Sequence, residues 1–187
     1  MQLMIKKISN SDFSLNENDF NFEYQNILSA KLDKHDSYYT QNIINEIVLW
    51  KVNRYVQIDE ELLELLNTIN KNEMNLDIDK TRKILFLLLK TKGVQIAMAS
   101  TILRFKNPNI YQIIDQRVYR IIYGKSLGRL NLNKSDSNIN KQINLYFKYL
   151  KDLKFVCEKL KIDFQIADRI LYNADKRLNR NVKLNNY

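Results

Sequence analysis

Three glycines and one proline in 187 residues leave this chain almost no punctuation for the turns of a multi-stranded sheet. Most of its apolar residues recur instead at three- and four-residue steps, the period of an amphipathic helix. The pattern predicts a mainly α fold, as one domain or as two small helical lobes sharing an interface, with enough chain to bury a hydrophobic core.

Helices are expected over 20–32 and over 39–53, the latter with Ile43, Ile47 and Trp50 on one face. Asp59 is expected to N-cap a third, which carries Leu62, Leu63, Leu65, Leu66 and Ile69. After a polar connection at 70–77, Asp79 is expected to start a helix containing Ile84, Leu85, Leu87, Leu88 and Leu89. Residues 124–138, rich in Gly, Ser, Asn, Asp, Lys and Arg, read as a loop before two last helices at 140–160 and 162–178. Residues 1–8 read as a short strand or arm, 10–18 as loop, and 179–187 as an exposed, fraying tail.

Composition removes several chemistries. One cysteine, Cys157, excludes an internal disulfide framework and any zinc or iron–sulfur site built from several thiolates. It stands at helical spacing among apolar residues, where a buried structural thiol is expected rather than a nucleophile. The only histidine, His35, leaves Ser-His-Asp hydrolysis and histidine-rich metal chemistry little to work with, so no metal and no cofactor are expected. The sequence starts without the apolar core and cleavage site of a signal peptide, and no apolar run reaches membrane-spanning length. An intracellular, soluble protein is the expectation. Thirty basic against 21 acidic residues give +9, which favours a polyanionic partner such as nucleic acid.

Around Lys92-Gly93-Val94 an apolar helix meets a glycine turn and then a second helix with small residues at Ala97, Ala99 and Ser100. Small residues allow close helix packing. Such a turn leaves backbone N–H groups at the second helix's N-terminus unpaired, and these can bind phosphate without reading sequence. Lys90 and Lys92 would add attraction there; an ordinary αα-corner with exposed lysines fits the same residues. Pro108 then ends the second helix, and Asp115 opens the next, 116–123, where an aspartate N-cap is a sufficient explanation by itself.

Gly93, Val94, Ala99 and Asp115 together resemble, in type and spacing, the helix-hairpin-helix DNA glycosylase superfamily. Its signature is a Gly-hydrophobic-Gly hairpin, an alanine shortly after, and a Val-Asp-Thr-His-Val-like segment further on. The resemblance covers roughly residues 80–124. Gln95 stands for the second glycine, Thr91-Lys92 for the usual Leu-Pro, Gln116-Arg117 for Thr-His, and Ala97 where bifunctional members carry a Schiff-base lysine. No cysteine cluster follows, so likeness to the iron–sulfur branch stops at the fold.

What the resemblance implies is a two-lobed helical scaffold, with a hairpin-containing lobe near 36–135 and a second lobe from 1–35 plus 136–187. It implies a monomeric, nucleoid-associated cytoplasmic protein that binds double-stranded DNA through Lys90, Lys92, Gly93, Val94, Gln95, Ala97 and Arg117. Asp115 would serve hydrolysis of the glycosidic bond of a flipped base, by a monofunctional route. A catalytically degenerate DNA-binding module on the same scaffold is the alternative. For a base pocket the candidates are Gln41, Asn45, Trp50 and Lys51, with Asn42, Glu46 and Arg54 nearby, and Asp168 with Tyr172 one turn on. Core is the commoner place for Trp50 and a surface salt bridge the commoner role for Asp168, while Arg117 and Arg120 read equally as DNA-backbone contacts and as solvated helix positions.

Overall fold

A computed structural model of the chain describes residues 25–36, 38–52, 55–127 and 133–184. Among these the regular structure is helical, without a strand, so the chain is mainly α. The expectations for 1–8 and 10–18 lie outside the described residues. The chain divides into two compact units, with the boundary between Tyr55 and Val56.

The first unit is a pair of packed helices, α1 (Asn26–Asp33) and α2 (Gln41–Lys51). Thr40 caps α2 by accepting from the Ile43 N–H at 3.3 Å, two residues inside the expected start. Ile43, Ile47 and Trp50 do share the half-buried face, while Ile44, Val48 and Leu49 are exposed. Trp50 Nε1 donates to Ser29 Oγ at 2.9 Å and Lys31 pairs with Glu46 at 2.6 Å, tying the two helices together.

The second unit carries α3 (Glu60–Asn67), α4 (Ile78–Lys90), α5 (Ile96–Lys106), α6 (Gln116–Tyr123), α7 (Asp136–Leu160) and α8 (Ala167–Leu178). Asp59 caps α3 as expected, its carboxylate accepting from Leu62 N–H at 2.8 Å. For α4 the cap is Asp77 rather than Asp79, accepting from Lys80 N–H at 3.0 Å, and Asp79 sits in the first turn. Helix α7 starts at Asp136, earlier than expected, and a single 3-10 turn, Phe164–Ile166, capped by Asp163, precedes α8. The core runs along α4 (Ile84, Leu85, Leu88), α5 (Ala99, Leu103) and α7 (Ile139, Ile143, Leu153), with α6 packed on α8. Each such buried aliphatic side chain stabilises the unit by about 1.5–3 kcal/mol relative to exposure.

Two polar anchors organise the loops. Asn107, fully buried, donates to the carbonyls of Asn70 and Glu73 and accepts from Asn109 N–H, joining the two connections on either side of the α4–α5 pair. The stretch after α8 is held rather than free as far as Val182: Asn179 Nδ2 donates to Asp175 at 2.7 Å, and the Val182 carbonyl accepts from Arg120 at 3.0 Å.

Candidate functional site

The α4–α5 connection is five residues long and turns on Gly93, whose φ of +84° belongs to the left-handed region that disfavours side chains. Val94 is buried beneath the turn and anchors it. Gly93 and Gln95 are exposed, and Gln95 occupies the N-cap position of α5 without capping it, so the first N–H groups of that helix receive no side-chain acceptor from it. Lys92 is exposed and makes no ion pair among the described residues. Lys90 is occupied: its ammonium pairs with Asp136 and lies 5.3 Å from the Phe86 ring centre. The unpaired carbonyls at the C-terminal end of α4 are met by Lys134, which donates to those of Lys90 and Thr91; burial first, and then the charge of Lys90, lower its pKa. A cleft of about 220 Å³ opens beside the turn, bordered by Gly93, Gln95 and Lys134. Ala97 is half-buried, and its carbonyl accepts from the hydroxyls of Ser100 and Thr101.

From α5 the chain reaches Asp115 through the non-helical segment 111–115, and three hydroxyls fix that segment. Ser100 Oγ on α5 accepts from Ile114 N–H at 3.2 Å; Tyr146 and Tyr149 on α7 donate to the carbonyls of Gln112 and Ile113 at 2.9 and 2.7 Å. Tyr146 and Tyr149 have pKa values well above the ordinary phenol, chiefly because burial disfavours the phenolate, so both remain donors. The pinned segment delivers Asp115 to the N-cap of α6. One carboxylate oxygen accepts from Arg117 N–H at 2.7 Å, the other accepts no hydrogen bond among the described residues, and the residue is half-buried.

Four residues singled out from the sequence converge here. Arg117 follows Asp115 by two positions, its guanidinium lies 5.6 Å from the Tyr172 ring centre, and its Nη1 donates to Asp175 at 3.2 Å. Asp168, one turn before Tyr172 on α8, is 5% exposed and accepts from Arg169 N–H, so it does not make a surface salt bridge. The charges of Asp168 and Asp115 add to burial and to Tyr146 in raising the Tyr149 pKa. Arg120 is not a solvated position: buried, it holds Asp175 through two hydrogen bonds of 2.9 and 2.6 Å.

The remaining pocket candidates belong to the first unit. Gln41 donates to Asn45 on the exposed side of α2, Asn42 and Lys51 are exposed, Glu46 pairs with Lys31, and Trp50 is half-buried. Arg54 lies outside the described residues. The sequence pattern does not mark Ser100, Tyr146, Tyr149 or Asp175. Ser100 read as a small packing residue, Tyr146 and Tyr149 lie on the apolar stripe of a long helix, and Asp175 precedes Lys176-Arg177 like any solvated carboxylate. Among the described residues no cluster of His, Cys, Asp and Glu could hold a metal, and no helix is long and apolar enough to cross a membrane. Cys157 is buried, and burial raises its thiol pKa to about 11, which keeps it protonated and inert. No protein-family model matches the chain, and neither does any curated protein or solved structure.

Proposed function

We propose that the chain is a monofunctional DNA N-glycosylase-like protein, in which the α4–α5 turn is a helix-hairpin-helix that grips duplex DNA and Asp115 acts on the glycosidic bond of a flipped base. The observation that carries the reading is the coupling of turn to carboxylate. The helix that follows the left-handed Gly93 also holds, through Ser100, the segment that ends in Asp115. The turn offers the N-terminus of α5, which Gln95 does not cap, and the exposed ammonium of Lys92, which makes no ion pair among the described residues, to a phosphate backbone, contacts that position DNA without reading it.

At the proposed reaction centre the departing base takes the bonding electron pair and leaves an oxocarbenium-like sugar. The unbonded oxygen of Asp115 stabilises that cation and accepts a proton from the water that adds to the sugar carbon. Ala97 offers only a methyl group where a Schiff-base lysine would stand, so strand cleavage without added base is not expected. Asp168, Tyr172 and Arg117 surround the same end of α6 and supply a second carboxylate, a ring and a planar cation to a flipped nucleotide.

Purified protein incubated with duplexes carrying oxidised, alkylated, deaminated or hypermodified bases is expected to release one class of base. Asp115→Asn is expected to slow release by about 100- to 1,000-fold, the scale of one lost charge-stabilising group, with DNA affinity and circular dichroism retained. Equal release by the variant sinks the catalytic assignment. A non-enzymatic DNA-binding module is the second reading, favoured by the cap bond that already gives Asp115 a structural duty. It expects DNA binding indifferent to Asp115→Asn and no base released from any duplex.

A further inference from the structure

The exposed charge of the second unit is sorted by sign. Helix α3 exposes Glu60, Glu61 and Glu64 and carries no lysine or arginine, and α7 exposes Glu158 among Lys151, Lys154 and Lys159. Helix α8 and the turn after it expose cations only. Between Ala167 and Leu184 every exposed charged side chain is basic: Arg169, Lys176, Arg177, Arg180 and Lys183. None of these makes an ion pair among the described residues. The carboxylates of the same stretch, Asp168 and Asp175, are both buried, and the charge of Asp175 is taken up by Arg117 and Arg120.

Arg169, Asn173 and Lys176 follow one another at four- and three-residue steps, which sets them in a row along one side of α8 while Ala167, Leu171 and Asp175 face inward. Lys176 Nζ lies 5.8 Å from the Tyr172 ring centre, a contact that orders the ammonium without neutralising it. Arg180 and Lys183 stand on either side of Val182. Its carbonyl accepts from the buried Arg120 and its N–H donates to the Asn179 carbonyl, so the backbone beneath those two cations is fixed. Like charges held close together repel one another, a cost that an anionic partner removes. From Arg169 to Lys176 the helix rises about 10 Å, over which one strand of a duplex presents about three phosphates. A lipid surface suits the helix less well, because its apolar face is packed on α6. The larger apolar side chains left exposed on it are Ile170, Tyr172 and Leu178, short of the continuous apolar face that insertion into a bilayer needs. We infer that α8 and the turn after it form a nucleic-acid surface that lies along a duplex phosphate backbone and holds it without reading sequence. None of its cations belongs to the α4–α5 turn or bonds to Asp115, so the surface does not depend on the cleavage of a glycosidic bond.

Binding of the full chain to a fluorescein-labelled DNA duplex of arbitrary sequence, followed by anisotropy over a range of salt concentrations, tests the surface. Arg169→Gln, Lys176→Gln and Arg180→Gln are each expected to reduce the magnitude of the slope of log K against log salt by about 1, and all three together by about 3. Replacing Lys151, Lys154 and Lys159 on α7 by Gln removes the same net charge and is expected to change the slope by less than about 1. Asp115→Asn, which tests the glycosylase reading, is expected to leave the slope unchanged. In the isotope-labelled parent, added duplex is expected to shift the amide resonances of residues 169–183, and this measurement decides the matter if a variant fails to fold. The inference is overturned if the triple α8 variant keeps the parent's slope, if the α7 variant loses as much, or if those amides do not shift. It is equally overturned if the parent binds no duplex at low salt, whether or not it binds vesicles containing phosphatidylserine.

Discussion

Asp175 has both oxygens occupied: Oδ1 accepts from Arg120 Nε and Asn179 Nδ2, Oδ2 from Arg120 Nη2 and Arg117 Nη1. Asp115, by contrast, has one oxygen in a cap bond and the other without a partner among the described residues. The first arrangement suits a structural carboxylate and the second a reactive one. Arg120 above all, with Asn179 and Arg117, holds the Asp175 carboxyl below the ordinary range despite its burial. A folded-state pKa lower than the unfolded one contributes stability that is complete above the unfolded value and is lost as pH falls toward the folded one. Asp175→Ala leaves the buried Arg120 guanidinium without its charge partner and is expected to cost about 3–5 kcal/mol. Urea unfolding at neutral pH checks the loss. Repeated below about pH 4 the parent is expected to lose part of the difference while the variant, lacking the carboxylate, loses less. The cap role of Asp115 could be read from its place at the start of a helix, whereas the partners of Asp175 lie 55 and 58 residues away on another helix.

At the scale of elements the legible part was what the chain writes locally. The Asp59 cap, the end of α5 before Pro108, and the span of α6 could all be read, because each depends on residues within one turn. The start of α4 could not, since Asp77 and Asp79 are both competent caps and the apolar period begins only beyond them. The pinned segment 111–115 was also invisible, because it has neither period nor punctuation, and its conformation is set by hydroxyls from α5 and α7. Tyr149→Phe is expected to test that dependence. Removing the hydroxyl leaves the Ile113 carbonyl without its partner, which costs about 1–2 kcal/mol and a few degrees of Tm. If Asp115 acts on a sugar, the same variant is expected to reduce the rate of base release more than DNA affinity, since it loosens the carboxylate and not the turn. An unchanged rate together with a lowered Tm would show that the tyrosine serves packing alone.

For the molecule as a whole, the net charge of +9 states a tendency toward polyanions, but its use depends on which cations are free. Of the lysines gathered at the α4–α5 turn, Lys90 neutralises Asp136 and Lys134 closes the end of α4, which leaves Lys92 as the cation there without an ion pair among the described residues. Composition counted all three alike; only the fold distinguishes them. The distinction has a measurable form in the salt dependence of DNA binding, because each phosphate neutralised by a lysine releases condensed counterions and steepens the dependence of affinity on salt. Lys92→Ala is expected to lower affinity for duplexes of any sequence and to reduce the magnitude of the slope of log K against log salt by about 1. Lys134→Ala is expected to act mainly on stability, by uncovering the carbonyls of Lys90 and Thr91. If the slope is the same for Lys92→Ala and the parent, the contact with DNA lies elsewhere on the basic surface and the turn is an ordinary corner between two helices.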